Sequence, residues 1–149
     1  MKLPTIKTPC VGICSTGIGD NVCRGCKRYA HEVIDWNSYS YSQKAAIEAR
    51  LVNLLTTIIE SRFRIIDEAR LKWQIQNLPV MVPTHRNLYC QAYALVKAGA
   101  SSITDITDFG LKVLPEWQHL ALKTLCQQID EDFYALSVAH FQRYYRHFA

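Results

Sequence analysis

The chain has 149 residues, room for one globular domain or for a small module attached to a modest one, and two large domains are excluded. Its 49% hydrophobic and 20% charged content is that of an ordinary globular protein, and no stretch reaches the roughly 20 uninterrupted apolar residues of a membrane span. A net charge of +4 would help an encounter with nucleic acid or an acidic partner, but it is too small to establish either.

In chain order, residues 1–36 read as an irregular module punctuated by Pro4, Pro9, Gly12, Gly17, Gly19 and Gly25, with a tight turn at Gly19, Asp20 and Asn21. Residues 1–7 lack the apolar core of a secretory signal, so the cytoplasm is the expected compartment. Ser40 and Gln43 fit a capping box, and Ile47, Leu51, Leu54 and Ile58 then recur at three- and four-residue steps, which predicts an amphipathic helix. The pattern continues past Phe63 towards Leu71, Ile75 and Leu78, with a break at 64–67, until Pro79 and Pro83 end it. A short helix is expected over 87–97, stopped at Gly99, and a brief one over 102–109, ended by Gly110.

Pro115, at a first helical position, opens a helix with Trp117, Leu120, Ala121, Leu125 and Ile129 on one face. A final helix is expected from 132 to about 147, burying Phe133, Leu136, Ala139 or His140, and Tyr144, with Arg143 and Arg146 suiting its C-terminal dipole. No strand alternation of useful length is visible. The expected fold class is mainly α: a four-cysteine module over 1–36, then a helical domain of about four to six helices over 37–149, the two packed as one unit.

Of six cysteines, Cys10, Cys14, Cys23 and Cys26 fall within seventeen residues, spaced Cys-x3-Cys-x8-Cys-x2-Cys. Two close pairs joined by a linker long enough to turn back can place four thiolates around one metal ion. Gly25 permits a bend that aims amide N–H groups at sulfur, and Arg24, Lys27 and Arg28 can offset the formal charge of about −2 that four thiolates leave on a divalent ion. Two disulfides are disfavoured in a reducing compartment, and four unrelated buried thiols would scatter rather than cluster. His31, five residues after Cys26, reads as a histidine at a helix edge rather than as a ligand. Tetrahedral sulfur coordination suits zinc and iron–sulfur centres alike; the Cys-x-Gly-Cys turn resembles a zinc knuckle, whereas the dense cysteine run of bacterial ferredoxins is absent.

The residues Pro9, Cys10, Val11, Gly12, Ile13 and Cys14, then Cys23, Arg24, Gly25, Cys26, Lys27 and Arg28, then Glu32, Val33, Ile34 and Trp36, resemble the YdhL-like bacterial proteins. That family, domain of unknown function 1289, has been described as predicted iron–sulfur proteins, chiefly from its cysteines. The resemblance covers about residues 9–55 and carries no assigned reaction; residues 60–149 lie outside it. Lys27 stands where the family often has glycine, and Tyr39 where methionine is common. The family label implies iron–sulfur and the spacing points to zinc, so both stay open.

Elsewhere the bland readings prevail. The run from Phe141 to Phe148 mixes cations with aromatic rings, as single-stranded nucleic-acid binders do, but reads as a helix end with its rings packed inward. Trp36, Trp73 and Trp117 read as core or staple residues, and Cys90 and Cys126 as buried small hydrophobes. No HExxH, glycine-rich phosphate loop or Gly-x-Ser-x-Gly is present, so no catalytic residue is assigned. The expectation is a non-enzymatic metal-binding adaptor with a protein or nucleic-acid partner; an iron–sulfur electron-transfer or redox-sensing protein is the alternative, and an RNA- or DNA-binding protein that uses the cysteine knuckle and the aromatic-basic C-terminal helix is a further one.

Overall fold

The expected capping box starts a long amphipathic helix. In a computed structural model, which describes residues 5–145, Gln43 N–H donates to the Ser40 hydroxyl (3.2 Å) and the Gln43 side chain accepts from Ser40 N–H (2.8 Å). Two orphan donors are thereby satisfied at the N-terminus of a 20-residue helix. In chain order the helices are α1 (Ala30–Asp35), α2 (Tyr41–Glu60), α3 (Glu68–Asn77), α4 (Leu88–Gly99) and α5 (Leu122–Tyr145), and two strands, β1 (Phe63–Ile65) and β2 (Leu111–Val113), pair antiparallel with Phe63 opposite Val113. The mainly α expectation therefore holds.

Several boundaries differ from the sequence reading. The break expected at 64–67 is β1, which no alternation announced because three residues carry too little period to read. Gly110 makes the approach to β2 feasible: its φ is +71°, and its carbonyl accepts from Ile66 N–H (2.8 Å) and Asp67 N–H (3.1 Å). The 102–109 segment forms only a 3-10 turn at Ile106–Phe109, and Pro115 opens another at Pro115–Trp117. The two helices expected after Pro115 are one, because α5 starts at Leu122 and no proline or glycine interrupts it at the acidic residues Asp130 to Asp132. Its buried positions are Leu125, Cys126, Ile129, Phe133 and Ser137, whereas Leu136 and Tyr144 are exposed. Ser137 is tolerated inside because its hydroxyl donates to the Phe133 carbonyl (2.7 Å).

The described residues divide into two units. The first takes 5–54 and 132–145; the second is Leu55–Glu131. Core residues of the first include Val22, Tyr29, Trp36, Ile47, Leu51 and Phe133. Those of the second include Ile59, Phe63, Leu71, Leu95, Leu111, Leu125 and Ile129. Cys90 and Cys126 are buried in the second unit, as expected of small hydrophobes, and burial pushes the Cys126 thiol up to about 11. Trp73 departs from expectation: it is 60% exposed, whereas Trp36 is buried and Trp117 is half-buried with its indole N–H on the Ser61 carbonyl (3.1 Å). Among the described residues no helix is long and apolar enough to cross a membrane.

Candidate metal centre

The second cysteine pair sits on a tight hairpin. Val22 and Tyr29 bridge antiparallel, Cys23 N–H donates to the Arg28 carbonyl (2.8 Å), Lys27 N–H to the Cys23 carbonyl (2.9 Å), and Ala30 N–H to the Asn21 carbonyl (2.8 Å). Closing so short a loop forces one residue into the left-handed region, and that residue is Lys27, at φ +68°. The position where the family often has glycine thus keeps a glycine-like backbone with a side chain on it. The chain compensates locally: Lys27 Nζ folds back to donate to the carbonyls of Arg24 (2.7 Å) and Gly25 (3.0 Å), and lies 5.4 Å from the Phe133 ring centroid.

The loop bearing the first pair rests on this hairpin. A Cβ placed on Gly25 would stand 2.2 Å from the Ile13 carbonyl oxygen and 3.0 Å from Val11 Cγ2, so only glycine admits the loop here. Cys23 Sγ donates to that Ile13 carbonyl at 3.4 Å, and the buried Ser15 hydroxyl accepts from Arg24 N–H at 2.8 Å. Ser15 was not legible as part of the site, since a lone serine after a cysteine carries no signal.

Cys23 and Cys26 are buried, and Cys10 and Cys14 are exposed. Cys10 Sγ accepts from Gly12 N–H (3.4 Å), and Cys14 Sγ stands 3.0 Å from the Thr16 hydroxyl. Among the described residues no three or more His, Cys, Asp or Glu side chains are grouped to hold a metal ion. The expected four-cysteine group is therefore not formed among the described residues: the hairpin buries Cys23 and Cys26, whereas Cys10 and Cys14 are exposed. The physical reason is that thiols attract one another weakly and thiolates repel, so convergence of four sulfurs draws its free energy from a cation. The soft donor set and the Gly25 cradle, which seats the 11–14 loop against the Cys23–Cys26 turn, are nevertheless compatible with a thiophilic ion held by Cys10, Cys14, Cys23 and Cys26.

The two buried thiols differ. Burial pushes the Cys23 thiol up, but backbone N–H groups of Cys26, Ser15 and Gly25, together with the Cys26 side chain, outweigh it and bring the thiol from 9.0 down to about 7. This is the amide-to-sulfur arrangement that the glycine bend predicts. Burial raises the Cys26 thiol, and the Arg28 guanidinium offsets that only in part. Arg28 Nε donates to Cys26 Sγ at 3.3 Å, and its guanidinium carbon lies 4.9 Å from the Trp36 ring centroid.

Behind the hairpin, Tyr29 N–H donates to Glu32 Oε1 (2.9 Å), and Arg50 grips both Glu32 oxygens at 2.7 and 2.6 Å while its guanidinium carbon stacks 4.0 Å from the Tyr29 ring centroid. This fork ties α1 to α2, and the separation of eighteen positions between its partners hid it from sequence reasoning. His31 lies in a ring cluster, 5.8 Å from Tyr29 and 5.0 Å from Tyr145 between centroids. Tyr29 also meets Phe141 (5.3 Å) and Tyr145 (5.2 Å), so those two rings of the C-terminal run pack inward as expected; residues 146–149 lie outside the described residues.

No curated protein and no solved structure matches the chain. The hairpin, its overlying loop, α1 and the greater part of α2 form instead the segment that matches a known family: residues 8–54 fit the model of the family described as Protein of unknown function (DUF1289).

Proposed function

We propose that this protein is a non-enzymatic metal-binding adaptor, in which one ion held by Cys10, Cys14, Cys23 and Cys26 rigidifies the segment up to about residue 36 for docking on a protein or nucleic-acid partner. The observation that carries the reading is the seating of the 11–14 loop on Gly25, against the turn that presents Cys23 and Cys26. The loop between Cys10 and Cys14 thereby lies against the turn of the second pair, in a hairpin with few apolar residues of its own. A bound ion would supply the cross-link that such a segment lacks, so its binding energy would be folding energy.

The test is metal analysis with an absorption spectrum, on protein purified without air and without added metal, beside the Cys23→Ser, Cys26→Ser double variant. About one zinc per chain, lost in the variant together with order in residues 8–36, supports the adaptor. Wild-type protein without metal, or a variant that keeps metal and folding, overturns it.

A second reading, an iron–sulfur protein that exchanges electrons with or reports oxidation to an oxidoreductase, draws on the exposure of Cys10 and Cys14, which leaves one sulfur edge of the site at solvent. Iron with acid-labile sulfide and a visible band bleached by dithionite would select it; colourless, iron-free protein would remove it. If the partner is nucleic acid, affinity should fall steeply with salt by counterion release.

A further inference from the structure

We propose that Arg28, held in place by the Trp36 ring, is the built-in counter-charge of a net-negative sulfur centre at Cys26, and that His31 takes no part in that centre. The inference rests on the metal-binding reading above and specifies the charge and donor set of that site.

Three cations follow the bend of the second cysteine pair, and the structure separates their roles. Arg24 is turned outward, with its side chain 64% exposed, its Nε 3.2 Å from Asp20 and its guanidinium carbon 4.6 Å from the Tyr134 ring centroid. Lys27 directs its ammonium to the carbonyls of Arg24 and Gly25, where it holds the turn. Arg28 gives its Nε donor to a cysteine sulfur, at 3.3 Å from Cys26.

Arg28 is only 4% exposed, and among the described residues its guanidinium has no carboxylate partner. Taking a guanidinium out of water is unfavourable unless a negative charge faces it, and a neutral thiol does not supply one. Four thiolates on one divalent ion carry a formal charge of about −2, which meets the requirement; each thiolate replaced by a neutral imidazole would remove one unit. The nearest histidine in sequence, His31, has its ring in the Tyr29 and Tyr145 cluster.

Trp36 explains how Arg28 is aimed. Its buried ring carries Arg28 at 4.9 Å and Lys44 at 5.5 Å, so its negative face concentrates positive charge beside the cysteine turn. The tryptophan ten residues after Cys26 is thus a positioning residue, as outer partners of metal ligands commonly are.

The experiment titrates cobalt(II), a spectroscopic stand-in for zinc, into the metal-free full chain and into Arg28→Met, Arg28→Lys, Trp36→Leu and His31→Ala. The expected result is a thiolate-to-cobalt charge-transfer band of full four-sulfur intensity in wild type and unchanged in His31→Ala. Arg28→Met should bind cobalt about 10–100-fold more weakly, Arg28→Lys should recover most of the loss, and Trp36→Leu should fall between. Recovery by lysine separates charge from packing. Should Arg28→Met not fold, Arg28→Lys decides: within about tenfold of wild type supports the proposal, and a loss beyond about a hundredfold overturns it. Wild-type affinity in Arg28→Met, or a changed band in His31→Ala, overturns the proposal while metal binding stands. Absence of any cobalt band in wild type overturns both.

Discussion

Lys27 offers the sharpest quantitative prediction about the hairpin, because two opposing effects meet at one residue. Its φ of +68° is a conformation that costs an L-residue about 1–2 kcal/mol relative to glycine. Its ammonium, in a residue only 2% exposed, donates to two carbonyls at 2.7 and 3.0 Å and lies 5.4 Å from the Phe133 ring centroid. Charge-assisted bonds of this kind, together with a cation over a ring, are worth about 3–4 kcal/mol in sum. Lys27→Ala keeps the backbone strain and loses the contacts, so it should destabilise the hairpin by about 3–4 kcal/mol. Lys27→Gly loses the same contacts but relieves the strain, so it should recover about 1–2 kcal/mol of that loss. The expected order is wild type, then glycine, then alanine, the reverse of the usual helix or strand preference for alanine over glycine. Amide hydrogen exchange at Cys23 and Lys27 in the metal-free chain measures it locally, since both N–H groups close the turn, onto the Arg28 and Cys23 carbonyls. Exchange in Lys27→Ala as slow as or slower than in Lys27→Gly would refute the reasoning.

Removing one partner of the Glu32 and Arg50 fork by Arg50→Met leaves a carboxylate 5% exposed without its cation, and should destabilise the first unit by about 3 kcal/mol in chemical denaturation. An effect below about 1 kcal/mol would place the pair among weak surface bridges. Gly110→Ala would set a Cβ 2.1 Å from the Asp67 carbonyl oxygen at a φ of +71°, so the second unit should lose about 2–4 kcal/mol, read as a lower unfolding midpoint. A midpoint equal to that of wild type would show that β1 and β2 do not need this approach. In metal-free protein at pH 8, iodoacetamide should alkylate the exposed Cys10 and Cys14 first and the buried Cys126 well after them. Cys126 is 5% exposed and its thiol is pushed up to about 11, leaving about one molecule in a thousand as thiolate. Peptide mass spectrometry checks the order, and early labelling of Cys126 would contradict its burial.

Much of the helical framework was legible because its causes are local. Ser40 and Gln43 cap α2 through neighbouring backbone groups, Ile47, Leu51 and Ile58 fall on one face by the period of the helix alone, and α4 runs between Asn87, whose side chain accepts from Cys90 N–H, and Gly99. The bend at Gly25 and the amide donors of Gly25 and Cys26 to Cys23 were readable for the same reason, since they lie within three residues of the sulfur, whereas the Ser15 amide was not.

What depended on partners distant in sequence was not legible. β1 and β2 exist because each finds the other across nearly fifty residues, and three residues alone hold no period. Likewise Ser137 is buried while Leu136 beside it is exposed, because packing selected a row spaced by four residues through Leu125, Ile129 and Phe133 rather than the most apolar side chains. The division of labour among Arg24, Lys27 and Arg28 also needed coordinates, since three adjacent cations look alike until one faces Asp20, one faces carbonyls and one faces sulfur. The sequence by itself determined the local turns, caps and cysteine spacing, which short-range sterics and hydrogen bonding dictate; tertiary structure alone decided which charges are buried and what faces them, because burial depends on the packing of distant segments.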